Sequence, residues 1–261
     1  MIPFSLNRFG KLLRWSLTND KRYYVKSFLQ VFVIMLLGFL FFPTTIKSYD
    51  HMGGYHACCI MIVMMFLVTV VLGPSFMYYS MENKHDMQNL LMLPASNFEK
   101  YLMRYASWIF LIPPYLVAFL GADVLQYAVH WMLGHDYVAF VSATLADFAS
   151  DTWHKTPAEA RYVLINTLLI LAIWFHPVYA LGATFFRSRK FNWVLTTFVI
   201  VLLTIVQMWI FPFEEHTSYK ETTTMDMVIA YAVAGCWGVL NFWLSYKLFC
   251  RTQVIGKFVN L

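Results

Sequence analysis

The chain has 261 residues, of which 60% are hydrophobic and 13% charged, with a formal net charge of +5 and a mean hydropathy of +0.58. Soluble domains balance roughly half apolar residues against about a quarter charged, so this composition excludes an ordinary soluble protein and points to a membrane. The Lys and Arg residues are scattered over separate segments rather than gathered in one stripe, so a nucleic-acid partner is not expected.

The amino-terminal stretch "NRFGKLLRWSLTNDKRYYVKSF" puts Leu6, Phe9, Leu13 and Leu17 on one helical face and Arg8, Lys11 and Arg14 near the other. It reads either as an amphipathic helix in the membrane interface or as a basic juxtamembrane segment that sets topology, and both place it on the cytoplasmic surface. A crossing helix needs about 20 mostly apolar residues. Six intervals between charged residues are long enough, at 27–46, 57–79, 105–128, 162–186, 191–213 and 227–247. Runs such as "VLTTFVIVLLTIVQMWIF" do not alternate as barrel strands do, and a helix satisfies its own backbone in lipid. The expected fold is an all-α integral membrane protein with six transmembrane helices in one domain, 1–261. The first apolar run is a full span with no small-residue cleavage site after it, so it stays as the first helix. Cys58 and Cys59 are adjacent and Cys236 and Cys250 stand apart, a pattern from which no structural disulfide is expected.

Between the second and third spans lies "MENKHDMQNLLMLPASNFEKYLMRY". Glu82 and Asp86 suit the positive end of a helix dipole, while Met87, Leu90 and Leu91 share one side, which predicts a short amphipathic helix over about 82–92. Leu93-Pro94 ends it, because a residue before proline avoids the α region. Ser96-x-x-Glu99 is a capping box that starts a new helix leading into span three, with Lys100 and Arg104 at the headgroup level. A stop followed by a capped restart fixes the angle between two helices, which a mere linker does not need.

Polar side chains within spans are functional suspects, because an unpaired polar group there is costly. They are Gln30, Asp123, Asn166, His176, Gln207 and Asn241. Interhelical hydrogen bonding is the preferred reading for the amides. His176 precedes Pro177, where a helix kinks and frees a carbonyl; it either lines a cavity or donates to a neighbouring carbonyl. Asn166, His176, Gln207 and Asn241 are candidates for a translocation path. Asp123 is read as the point where helix three reaches water, and Ala230, Ala234 and Gly238 as a close-packing stripe. In the outer segment from about 130 to 160, His130, His135 and His154 match no strong metal signature, so no metal site is expected, and Phe140 to Trp153 is read as lying along the outer surface or dipping in slightly.

One side of the predicted topology collects Arg8, Lys11, Arg14, Lys21, Arg22 and Lys26, then Lys84, Lys100 and Arg104, then Arg187, Arg189 and Lys190, and finally Lys247, Arg251 and Lys257. The other holds Lys47, Lys155, Arg161 and Lys220. The positive-inside rule then places both termini in the cytoplasm.

Over residues 81–104, the span followed by Met81-Glu82 and "LLMLPASNFEKYLMRY" resembles the coupling-helix region of the permease subunits of the second type of ATP-binding-cassette exporters. The likeness extends to six helices, cytoplasmic termini and an amphipathic helix before span one. It departs at "NKHDM", residues 83–87, where that family commonly carries Arg and a Gly-Thr step. The resemblance implies a permease of the bacterial inner membrane that pairs with a second permease copy and docks a separate ATPase through Glu82, Asp86, Met87, Leu90, Leu91, Leu93 and Pro94. The chain itself has no G-x-x-x-x-G-K-[ST] loop, so ATP and Mg are expected on the partner and no cofactor or catalytic residue in this chain. Leu90, Leu91 and Leu93 are expected to fill a cleft on that ATPase. A non-transporting scaffold that holds a cytoplasmic partner has the same topology, and an intramembrane enzyme is the least favoured reading.

Overall fold

The computed structural model describes residues 3–45, 61, 64–80, 84–134, 139–142, 158–186, 191–210 and 224–251. The chain is all-α. In order the helices are α1 (Leu6–Asn19), α2 (Lys21–Thr45), a short apolar α3 (Met64–Phe76), α4 (Lys84–Met92), α5 (Asn97–Ile109), α6 (Ile112–Met132), α7 (Ala158–Phe185), α8 (Asn192–Ile210) and α9 (Thr224–Cys250).

Four stretches are long and apolar enough to cross a membrane: Lys21–Phe41, Asn97–Met132, Ile165–Phe185 and Met225–Cys250. They mark a multi-pass helical membrane protein. Of the six expected spans, these account for the first, third, fourth and sixth. The second and fifth correspond to shorter apolar helices, Met64–Phe76 and Asn192–Gln207, and parts of 57–79 and 191–213 lie outside the described residues.

Three boundaries differ from expectation. The first long helix starts at Lys21 rather than 27, immediately after α1, and the backbone bonds Asp20 N–H to Ser16 O and Tyr24 N–H to Asp20 O carry the ladder through the joint. The second apolar helix tightens into a 3₁₀ turn at Gly73–Phe76 before the expected end at 79, because Pro74 offers no amide and the preceding glycine is a poor helix former. The third stretch is 36 residues, about 54 Å as one helix and far more than a bilayer core requires. It is in fact two helices separated at Phe110–Leu111, since Pro113 and Pro114 lack the N–H groups that would continue the ladder and instead occupy the first turn of α6. The amphipathic α5, with Glu99, Lys100 and Arg104, thus precedes the apolar crossing.

The chain forms two compact units, each assembled from distant stretches. One comprises Met1–Leu13, Val71–Tyr105 and Ile165–Leu261, the other Arg14–Val70 and Ala106–Leu164. In the second unit α2 packs along α6, and Met35, Phe39, Phe119, Ala122 and Phe140 form its buried cluster. Ser27 and Tyr115 hydroxyls pair at 2.6 Å across the same contact. The outward residues of α2, among them Leu29, Val33, Ile34, Leu37 and Phe41, are exposed and apolar, as a lipid-facing helix requires.

In the first unit, small residues let helices approach. Ala234 is fully buried, and a Cβ on Gly238 would stand 3.5 Å from the Pro177 ring and 3.8 Å from Ile173 O. Trp174 stacks on Trp237 at 5.1 Å. Helix α7 continues through Pro177. The tightest contact joins α7 to α8, where a Cβ on Gly182 would overlap Thr196 Oγ1 and lie 2.8 Å from Thr196 Cγ2. Gly182→Ala is therefore expected to destabilise the protein by about 1–3 kcal/mol, read as a lowered melting temperature in detergent. Adding Thr196→Ala should recover part of the loss, and a Gly182→Ala protein that melts like wild type would contradict the close approach.

Candidate functional site

The capping box predicted at Ser96 and Glu99 has the geometry its spacing requires. Ser96 N–H donates to Glu99 Oε2 at 2.9 Å and Glu99 N–H to Ser96 Oγ at 3.2 Å. The same carboxylate does more than cap α5. Arg8 grips it with a two-pronged hydrogen bond, Nε to Oε2 at 2.8 Å and Nη2 to Oε1 at 2.7 Å, and Ser5 N–H donates to Oε1 at 2.7 Å. Each oxygen thus accepts two donors, and Glu99 is fully buried. Arg8 also donates to Pro3 O. Around this knot Phe4 stacks edge-on to Phe98, which in turn meets Tyr246.

The electrostatics follow from those donors. The Arg8 guanidinium holds the Glu99 carboxyl down at about 2, against an ordinary 4.5; burial opposes the shift, and the Ser5 and Ser96 donors reinforce it. Glu99 in turn raises Arg8. At the next position of α5, the buried Lys100 donates its ammonium to Leu91 O at 2.7 Å. That carbonyl belongs to the last turn of α4, where a cation is favoured by the helix dipole. Burial pushes the Lys100 ammonium down.

These contacts define the corner between α4 and α5. Helix α4 ends at Met92 and Pro94 follows, with Leu93 N–H on Leu90 O and Ala95 N–H on Leu93 O closing the bend. Leu90 is fully buried within the chain. This corrects the expectation that Leu90 reaches into a partner's cleft: its side chain is already covered by its own protein. Leu91 and Leu93 are half-buried, as is Asp86 in the first turn, while Asn89, Met92 and Pro94 face outward, Met92 with 82% of its surface exposed. Glu82 and the Met87 side chain lie outside the described residues.

Among the residues considered for a translocation path, Asn166 accepts from Tyr231 OH at 2.7 Å, and His176 Nε2 pairs with Tyr105 OH at 2.6 Å beside the Phe242 ring. His176 thus meets the Tyr105 hydroxyl. Asn241 donates to Trp237 O in its own helix at 2.8 Å, and Gln207 is exposed on α8. These four do not converge, since Asn166 and His176 alone are about 15 Å apart along α7. Below them Ser245 joins three helices: Tyr101 OH donates to it at 2.9 Å, it donates to Ala180 O at 3.0 Å, and Thr184 Oγ1 lies 3.1 Å away. Among the described residues no group of His, Cys, Asp and Glu is arranged to hold a metal ion.

The sequence did not indicate Arg8 and Ser5 as partners of Glu99, nor Lys100 as the anchor of α4. The only signal was an acid committed to a cap and several basic residues on a helix expected on the same side. No known protein family, curated protein or solved structure matches the chain.

A depressed carboxyl contributes its stabilisation above the unfolded value and loses it as the pH falls through the folded one. A fluorophore pair on the exposed positions Asn7 and Asn97 should keep its distance from neutral pH down to about 4.5 and lengthen as the pH falls toward 2. Glu99→Gln should lengthen it at neutral pH. Ser96→Ala, which removes one cap bond, should cost about 1 kcal/mol without releasing the amino-terminal segment.

Proposed function

We propose that this chain is the permease subunit of an ATP-driven exporter of the ATP-binding-cassette type, moving a substrate out of the cytoplasm or inner leaflet by alternating access. Six helices cross a bacterial inner membrane in this reading, both termini are cytoplasmic, and a second permease copy and a separate ATPase carrying ATP and Mg complete the assembly. The observation that carries the reading is the α4–α5 corner: a short helix with a proline stop and a capped restart, pinned by Lys100 and Glu99, with Asn89, Met92 and Pro94 turned outward. A helix held at both its end and its exit moves as a lever when pushed, whereas a loose linker absorbs the push.

The surface offered to the ATPase is Met92 with its exposed neighbours rather than the buried Leu90. ATP favours one arrangement of the permease only so far as the docked subunit binds that arrangement better. A scaffold without transport is the second reading, and the engagement of Asn166 with Tyr231 and of His176 with Tyr105 favours it, since these groups are occupied in holding helices together.

Affinity purification from membranes separates the two. Wild type should bring down an ATPase with measurable activity, and Met92→Glu should reduce the captured ATPase by at least about tenfold, the effect of losing one well-packed apolar anchor, while inserting normally. If properly inserted wild type captures no ATPase, the scaffold reading replaces the exporter.

A further inference from the structure

Asp123 lies in the middle of α6 and is 1% exposed, so it does not mark the point where this helix reaches water. Its carboxylate is satisfied by residues that come later in the chain. Oδ1 accepts Phe140 N–H at 2.8 Å and the Gln126 side-chain amide at 3.1 Å, and Oδ2 accepts Val141 N–H at 2.9 Å. Two consecutive backbone amides on the two oxygens of one carboxylate fix both the place and the direction of the strand of chain that carries them. Phe140 is 2% exposed, with its ring 6.0 Å from that of Phe39 in the buried cluster of the second unit.

Between these residues the backbone leaves α6 at Met132 and turns at Gly134, whose φ of 74° lies in the left-handed region that favours glycine. Helix α6 runs about 13 Å from Asp123 to its end. The chain therefore passes the end of the helix and returns to the level of its middle. Residues 140–142 are helical, and the first amides of a helix have no acceptor within it; at membrane depth protein groups have to supply one, and the Asp123 carboxylate does so for Phe140 and Val141.

We propose that residues 139–142 are the tip of a re-entrant segment, held about 13 Å inside the end of α6 by the Asp123 carboxylate. Asp123 is then a positioning residue, which holds the Phe140 and Val141 amides by two hydrogen bonds while the Phe140 ring stays in the buried cluster. The inference rests on α2 and α6 crossing the bilayer and is independent of any ATPase.

Hydrogen exchange on the full chain in lipid nanodiscs tests it. In wild type the Phe140 and Val141 amides should be protected. In Asp123→Ala they should exchange at least about tenfold faster, as the loss of bonds to a charged acceptor implies, with α2 and α6 still protected. Asp123→Asn, which keeps one acceptor oxygen, should fall between. If the alanine variant loses protection throughout α2 and α6, the asparagine variant decides by the same criterion. A spin label at Ser142, with the native cysteines replaced by serine, should relax more with oxygen than with a water-soluble nickel complex. Unprotected wild-type amides, unchanged exchange in both variants, or a label that favours nickel would each overturn the proposal.

Discussion

The ordering of the corner between α4 and α5 depends on one carboxylate. Glu99 accepts the Arg8 fork, the Ser5 amide and the Ser96 amide, and every lone-pair direction it offers is used. A buried carboxylate with fewer donors would be costly, so the carboxylate's half of the α5 cap and the docking of the amino-terminal segment depend on each other: undocking Arg8 and Ser5 leaves Glu99 with an under-satisfied charge. The fork geometry also explains why arginine rather than lysine is suited to position 8, since a point charge cannot address both oxygens at once. Lys100 then extends the same fixation to α4 through a single carbonyl.

Polar groups elsewhere follow the same economy. Tyr231 with Asn166, Tyr105 with His176, and Tyr101 with Ser245 each place a hydroxyl where a helix partner needs one. In an apolar medium such pairs hold helices at a chosen register without a hydrophobic driving force between them. The glycine and alanine contacts at Gly182, Ala234 and Gly238 let the helices come close enough for these short bonds. Any rearrangement of these helices has to exchange such bonds rather than create them, Tyr105–His176 and Tyr231–Asn166 among them.

What was legible in the sequence was local. The stop at Leu93-Pro94 and the restart at Ser96 and Glu99 rest on interactions within one turn of helix, and such spacing survives folding unchanged. Apolar runs showed where helices lie, but not where they break: Pro113-Pro114 sat in plain view inside a run whose hydropathy did not change. The apolar side of α4 was readable too, yet periodicity says only that something covers Leu90, and the chain itself does so. Arg8 is one of several cations before α2, and nothing in its neighbourhood distinguishes it as the partner of an acid 91 residues away. Asp123 was misread for a related reason. Its donors are mostly backbone amides, which every residue but proline possesses and which leave no trace in composition.

The Asp123 contact also imposes an order in time. The carboxylate is synthesised before Phe140 and Val141, and at ordinary elongation rates of about 5–20 residues per second the interval is about 1–4 s. Through that interval α6 carries an acid toward the apolar phase with Gln126 as its nearby donor. The helix becomes fully compatible with lipid only once the chain has turned at Gly134 and come back. The contact that satisfies Asp123 is thus made only after Phe140 and Val141 emerge, and the segment that carries them serves as a step in the assembly of unit two as well as a part of its finished form.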